Sequence, residues 1–218
     1  MDKKIIAILP LRAKSQRVKN KNILPICGIP LYKHILDKIN SIDKIDQIVI
    51  STDIEEVLNL QIEGERIKIL KRPNELSGNC NINWVIEDVL KKIPEGDIFI
   101  QVHATNPLLK KETIEKALET FEDSLGKDSL FSVNKIQKRF WSSEAKPINH
   151  KLGDPPTTQI LEPWFEENSA IYIFKRKSFS ENNNRIGKNP LMFKMSELES
   201  LDIDTEDQFK LIKKIMES

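Results

Sequence analysis

The sequence predicts a three-layer αβα fold, Rossmann-like, built on a mostly parallel sheet. Apolar, β-branched runs of strand length recur along the chain, and segments with helical periodicity lie between them. The strand runs are apolar almost without interruption. Strands alternating with helices argue for right-handed βαβ units. Uninterrupted apolar runs suit strands covered on both faces, where an alternating pattern would leave one face to solvent.

The first strand is read at Ile5–Leu9 and ends at Pro10. Arg12, Lys14, Ser15, Arg17, Lys19, Asn20, Lys21 and Asn22 follow, with no acid among the residues from Arg12 to Asn22. A buried strand that empties into such a loop presents fixed charge and hydrogen-bond donors to a polyanion at the carboxyl end of a sheet. The glycine-rich pattern G-x(4)-G-K-[ST] is absent, so this is not a P-loop. Pro25 and Gly28-Ile29-Pro30 turn the chain into a helix over Leu31–Ile39, with Pro30 at or just before its first turn, where a missing donor costs little.

The second strand, Gln47–Ser51, runs into Ser51-Thr52-Asp53, which either caps a helix over Ile54–Leu60 or reaches a ligand. After a strand at Ile67–Leu70, Arg72 stands either toward a ligand at the strand end or in a surface ion pair with Glu75. A helix at Ile82–Leu90 leads to a strand at Ile98–His103, which places Gln101 and His103 on one face. In the helix Thr113–Phe121, Ile114, Ala117, Leu118 and Phe121 form one apolar face. A further strand is read at Leu130–Val133. The stretch 134–167 then breaks the alternation and is too long for an ordinary connection. It carries Lys138, Arg139, Trp141 and Trp164, and reads as a protruding element. Strand character returns over Glu167–Phe174, followed by a polar turn whose Arg185 and Lys188 either close over a ligand or are surface charge.

Near the C-terminus, Asp202 and Asp204 point to one side of an extended segment. Two carboxylates so placed suit a hard divalent ion, and Mg²⁺ is commonly held by one or two carboxylates plus substrate phosphates. Thr205 and Gln208 fit a capping box for a final helix. The two roles are compatible, because both aspartates precede the cap.

Composition bounds the rest. The 218 residues suit a single domain over 1–218, with 134–167 as an insertion. A net charge of +1 gives no global attraction to nucleic acid or to an anionic membrane, so phosphate recognition must be local. No stretch approaches the roughly 20 apolar residues of a membrane span. Cys27 and Cys80 form neither a disulfide framework nor a metal-ligand spacing. The expectation is a cytoplasmic protein with no nucleic-acid or membrane partner.

Arg12, Ser15, Lys21 and Asn22 resemble the signature R-x-x-S-x(5)-K-N of the acylneuraminate cytidylyltransferases. The phrase Lys21-Asn22-Ile23 followed by Gly28-Ile29-Pro30-Leu31 is similar to sugar nucleotidyltransferases at this point. His103 to Leu108 resembles the family's Q-x-T-S-P-L, with His103 where many relatives carry Gln. Asn168 to Ile173 resembles N-G-A-I-Y-I with Ser169 in place of Gly, and Asp202 to Glu206 reads D-I-D-T-E.

The resemblance spans the chain and implies a nucleotidyltransferase fold with a protruding dimerisation insertion. It implies an enzyme that transfers CMP from CTP to the anomeric hydroxyl of a sialic-acid-like 2-keto sugar acid, releasing pyrophosphate. The alternatives are transfer to 3-deoxy-manno-octulosonate and a non-catalytic nucleotide-binding relative, the latter kept open by Asn79, His103 and Ser169. The implied catalytic residues are Arg12, Lys21 and Asp204. Mg²⁺ would sit on Asp202 and Asp204. Substrate contacts are expected from Ser15, Asn22, Arg72, Asn79, Gln101, His103, Thr105 and Asn168. In the implied homodimer, Lys138 and Arg139 reach over the partner's site and help bind the sugar carboxylate. No residue stands out as a general base.

Overall fold

The computed structural model describes residues 3–15, 17–62, 64–153 and 155–218. Its centre is β1 (Ile5–Leu11), buried along nearly its whole length. A two-stranded hairpin, β2 (Pro25–Ile26) and β3 (Ile29–Pro30), precedes α1 (Leu31–Asn40). Then come β4 (Gln47–Thr52), the short α2 (Glu55–Leu58), β5 (Ile67–Lys71), α3 (Ile82–Lys92), β6 (Ile98–Val102) and α4 (Lys111–Asp123). The last third holds β7 (Ser129–Ile136), β8 (Trp164–Lys175), α5 (Arg176–Asn182), β9 (Pro190–Lys194) and α6 (Glu206–Glu217).

Seven strands form one sheet in the order β5-β4-β1-β6-β8-β7-β9. Only β8 runs against the others: it is antiparallel to both β6 and β7, whereas the remaining pairings are parallel. The mostly parallel αβα expectation therefore holds. The residues of β1 show why its run is apolar throughout. Ile5, Ala7, Leu9 and Leu11 face the core made with α1 and α4, whereas Ile6 and Ile8 face the one made with α3 and α5. A third cluster, with Ile26, Leu31, Ile203 and Ile212, fastens α6 against the hairpin and α1. This fastening brings the end of the chain back to the loop that follows its first strand.

Two sequence expectations are corrected. The helix expected over Ile54–Leu60 contracts to α2, with Ile54 as its N-cap, because Val57 is the only residue in it that finds a buried position. The stretch 134–167 is not irregular at its ends. Asn134 to Ile136 pair with Trp164 to Glu166, so β7 and β8 continue as a two-stranded ribbon and the irregular part narrows to 137–163. The ribbon was missed because solvent reaches it and its residues mix polar and apolar types, without the apolar run of a covered strand.

Candidate active site

A cavity of about 250 Å³ opens at the carboxyl ends of β1 and β6, where the strand order turns from one side of β1 to the other. Such switch points are where open α/β sheets receive ligands. The basic loop forms one wall, held by side chains from several elements. Asp53 at the end of β4 accepts from the Ala13 N–H at 2.6 Å, and Thr52 Oγ1 accepts from the Ile54 N–H at 3.0 Å. The Ser51-Thr52-Asp53 triplet therefore shapes the loop and the start of α2. Asn22 is buried and donates to the Arg12 carbonyl at 2.9 Å. Arg12 reaches across to donate to the Gly78 carbonyl at 3.4 Å and to Asn79 Oδ1. Ser15 Oγ is buried, with no hydrogen-bond partner among the described residues.

Lys21 joins the two ends of the chain. Its ammonium donates to the Ile203 carbonyl and lies 3.5 Å from Asp204 Oδ1. Burial pushes its pKa down, against the pull of Asp202 and Asp204. Arg17 also reaches Asp204, at 2.9 Å, from a largely exposed position. The acidic segment is anchored independently to the end of β6. The Ile203 N–H donates to the Thr105 carbonyl at 2.9 Å, and buried Asn106 donates to the carbonyls of Ser200 and Leu201 at 3.3 and 3.2 Å. Thr205 and Gln208 form the expected capping box of α6. The caps and the paired carboxylates thus coexist.

The Thr105 hydroxyl bonds the Asp202 carboxylate, yet Asp202 Oδ1 is buried with no partner among the described residues. Burial raises the pKa of Asp202, opposed by Thr105 and Lys21. An unpartnered buried carboxylate oxygen on a cavity wall, with Asp204 beside it, fits Mg²⁺. Among the described residues no third carboxylate, His or Cys joins them. A cation held there would need ligand oxygens to complete its coordination.

The other walls revise several expected contacts. Arg72 is buried, donates to the Ser51 carbonyl at 3.0 Å and lines the cavity with Gly78, Cys80, Ile82 and Val85; it is not a surface partner of Glu75. Asn79 stands exposed at the rim and positions Arg12. Thr105 lines the cavity as expected. Gln101 does not: it is fully buried behind His103. Its carbonyl accepts from Arg185 Nη1 at 2.9 Å, and its amide nitrogen lies 2.7 Å from His103 Nε2. Arginine only donates, so it fixes the amide orientation. The Gln101 N–H then donates to Nε2, and the His103 proton resides on Nδ1.

Asn168 is likewise turned from the cavity. It accepts from Ser132 Oγ and the Ala170 N–H and donates to Asn134, across an irregularity in the β7–β8 pairing. A bulge re-aims side chains, and here it gives the cavity-lining place to Ser169, at a φ of 60° in the left-handed region that favours glycine. Lys138 and Arg139 are exposed on the 137–163 segment and line no part of this cavity. Tyr172 is core, as expected, with its hydroxyl on Glu167 and Ser169.

Arg17, Ser169 and Arg185 are the additions. Arg17 was visible as part of the basic run. Arg185 was left open between ligand and surface, because its place depends on Tyr172 beneath it and on Asn83 Oδ1, which accepts from its backbone N–H at 3.3 Å.

His103 keeps a face on the cavity but is ringed by protein. Burial, with the cations of Arg185, Lys21 and Arg12, takes its pKa from 6.5 down to about 3. The native state therefore excludes a proton that the unfolded chain accepts below pH 6.5, and stability is lost as pH falls from there toward 3. Between pH 7 and pH 5 the wild type should lose about 2 kcal/mol more than His103→Gln, read by urea unfolding at both pH values. Parallel pH dependence in the two proteins would show that His103 is readily protonated when folded.

A family model described as Cytidylyltransferase matches residues 6–218. The chain is 28% identical over 218 residues to post-translational flagellin modification protein B of Campylobacter coli, covering 95% of this chain and 93% of that one. It is 29% identical over 227 aligned residues to CMP-N,N'-diacetyllegionaminic acid synthase of Legionella pneumophila, covering 98% and 97%. The solved structure of a CMP:2-keto-3-deoxy-manno-octonic acid synthetase complexed with CTP superposes with a TM-score of 0.71 at 16% identity, covering 98% of each chain; this likeness concerns the fold.

Proposed function

The chain belongs to the cytidylyltransferase family and is a nucleotidyltransferase, and from that premise we propose that it transfers CMP from CTP to the anomeric hydroxyl of a sialic-acid-like nonulosonic acid, releasing pyrophosphate. The observation that carries the reading is the closure of Lys21 onto Ile203 and Asp204, which sets fixed cations and paired carboxylates around one cavity. The similarity to a CMP-N,N'-diacetyllegionaminic acid synthase favours a nonulosonic acid as acceptor.

In this reading the acceptor hydroxyl attacks the α-phosphorus in line. A new P–O bond forms, the α–β bridging P–O bond breaks, its electron pair leaves with pyrophosphate, and the hydroxyl proton passes to solvent water. Arg12 and Lys21 hold the charge that gathers on the leaving group, and Ser15 Oγ and the Asn22 amide position phosphate oxygens. Arg72, Gly78 and Cys80 flank the nucleoside. Asp202 and Asp204 would hold Mg²⁺, which would supply charge neutralisation at the phosphate oxygens. His103 cannot take the hydroxyl proton, because Nδ1 already carries one and Nε2 accepts from Gln101. It serves as a neutral hydrogen-bond donor.

The test is pyrophosphate release from CTP with Mg²⁺, using N-acetylneuraminate, N,N'-diacetyllegionaminate and 3-deoxy-manno-octulosonate. Turnover with either of the first two supports the reading. Turnover with the third alone replaces the acceptor, and no turnover with any of them removes it.

The working unit in this proposal is a homodimer. Trp141, Ile148, Leu152, Ile160 and Trp164 leave large apolar surface exposed on or beside the 137–163 segment, more than a surface loop requires. Paired through this segment, two chains carry Lys138 and Arg139 toward each other's cavities. Light scattering should give twice 25.2 kDa, and Trp141→Glu with Ile160→Glu should give the monomer; a wild-type monomer would remove this part of the proposal.

A further inference from the structure

We infer that Arg185 binds the carboxylate of the sugar acid, within the same chain, an assignment that rests on the cytidylyl-transfer reading above. Its guanidinium lies 3.4 Å from the centre of the Tyr172 ring, with its side chain 13% exposed, and it lines the cavity. Stacking on an aromatic face fixes the plane of the fork. Nη1 donates to Gln101, and Nη2 stands 3.9 Å from Glu167 Oε1, beyond hydrogen-bond length. That same carboxylate oxygen already accepts from the Tyr172 hydroxyl. The Nε–Nη2 edge therefore makes no hydrogen bond among the described residues, and a planar bidentate donor edge on a cavity matches a carboxylate.

The order of groups across the sheet says which anion this is. Arg12 and Lys21 follow β1, Asp202 is bonded at the end of β6 through Thr105, and Arg185 stacks on Tyr172 of β8. The cavity thus has two cationic poles on opposite sides of β6, with Asp202 between them and Asp204 against the Lys21 pole. A triphosphate occupies the pole at β1. The second anion, at the β8 pole, belongs to the co-substrate whose hydroxyl meets the α-phosphate beside the carboxylates.

The loop that carries Arg185 is held in place. Asn83 accepts from its backbone, Ser129 Oγ accepts from the Gly187 N–H at 2.8 Å, and Asp128 accepts from the Lys188 and Asn189 N–H groups at 2.9 and 3.1 Å. Arg185 is pre-positioned, and Gln101 passes that position on to His103, so the two cavity-facing donors are set as a unit.

The experiment compares wild type, Arg185→Met and Arg185→Lys, using whichever of the three sugar acids the wild type turns over best, together with its C1 methyl ester. Arg185→Met should raise the KM for the acid about 30-fold while the KM for CTP changes less than about 2-fold. Wild type should prefer the acid to the ester, and Arg185→Met should lose most of that preference. Arg185→Lys, which keeps the charge without the fork, should fall between. An unchanged acceptor KM in a folded Arg185→Met, or an equal rise for CTP, overturns the assignment and leaves the cytidylyl-transfer reading standing. Wild type that binds CTP but turns over none of the acids overturns both.

Discussion

Asp202→Asn should lower turnover on the order of 10³-fold, equivalent to about 4 kcal/mol of transition-state stabilisation, and raise the Mg²⁺ concentration needed for half-maximal rate. The substitution keeps the shape of the side chain and the Thr105 contact while removing the charge. The folded protein should suffer little. Burial already raises the pKa of Asp202, so the fold opposes this charge, and Oδ1 has no partner among the described residues to lose. The melting temperature of Asp202→Asn should be no lower than that of wild type, the pattern expected where a group is kept for chemistry at the expense of stability. Calorimetric melting with turnover assays across a Mg²⁺ series separates the possibilities. A large drop in melting temperature with a matching loss of rate would make Asp202 a structural tie between β6 and α6.

The contrast between what could and could not be read from the sequence follows from the range of the interactions. The apolar run of β1 declared a doubly covered strand because each of its residues meets one of two cores. The basic loop, Thr105 and D-x-D lay in short, ordered segments, where spacing along the chain translates directly into spacing at the site. Lys21 and Asp204 are far apart in sequence, and only the family resemblance implied that they share a site. Gln101 and His103 were placed correctly on one strand face, but which of them reaches the cavity depends on Arg185, brought by a loop after α5. Asn168 and Ser169 exchanged roles because of a bulge opposite Phe131 and Val133, and a bulge is a property of two strands together. Arg185 stayed undecided between ligand and surface for the same reason: a turn arginine becomes a buried one only when Tyr172, Asn83 and Asp128 have been brought around it.

Arg12→Ala should reduce kcat about 10²-fold, roughly 3 kcal/mol, with a smaller effect on the KM for CTP. Arg12 and Arg17 are near neighbours in one basic run, so the result must be specific to position rather than to charge. Arg17 is 64% exposed on its side chain and already paired with Asp204. Arg12 is half-buried on the cavity wall, and its contacts are neutral oxygens of Gly78 and Asn79. A cation facing neutral acceptors in a partly dehydrated cavity retains its capacity to stabilise charge that develops there, and it does so with little reorganisation. A solvated cation in a surface pair contributes little. Arg17→Ala should therefore slow turnover less than about 3-fold, and Arg12→Lys should recover only part of the loss, because a point ammonium lacks the planar fork that a guanidinium offers to phosphate oxygens. The loss should appear in single-turnover pyrophosphate release, where product departure plays no part. Equal losses for Arg12→Ala and Arg17→Ala would mean that the loop works by its summed field, and the assignment of the leaving-group charge to Arg12 would fall.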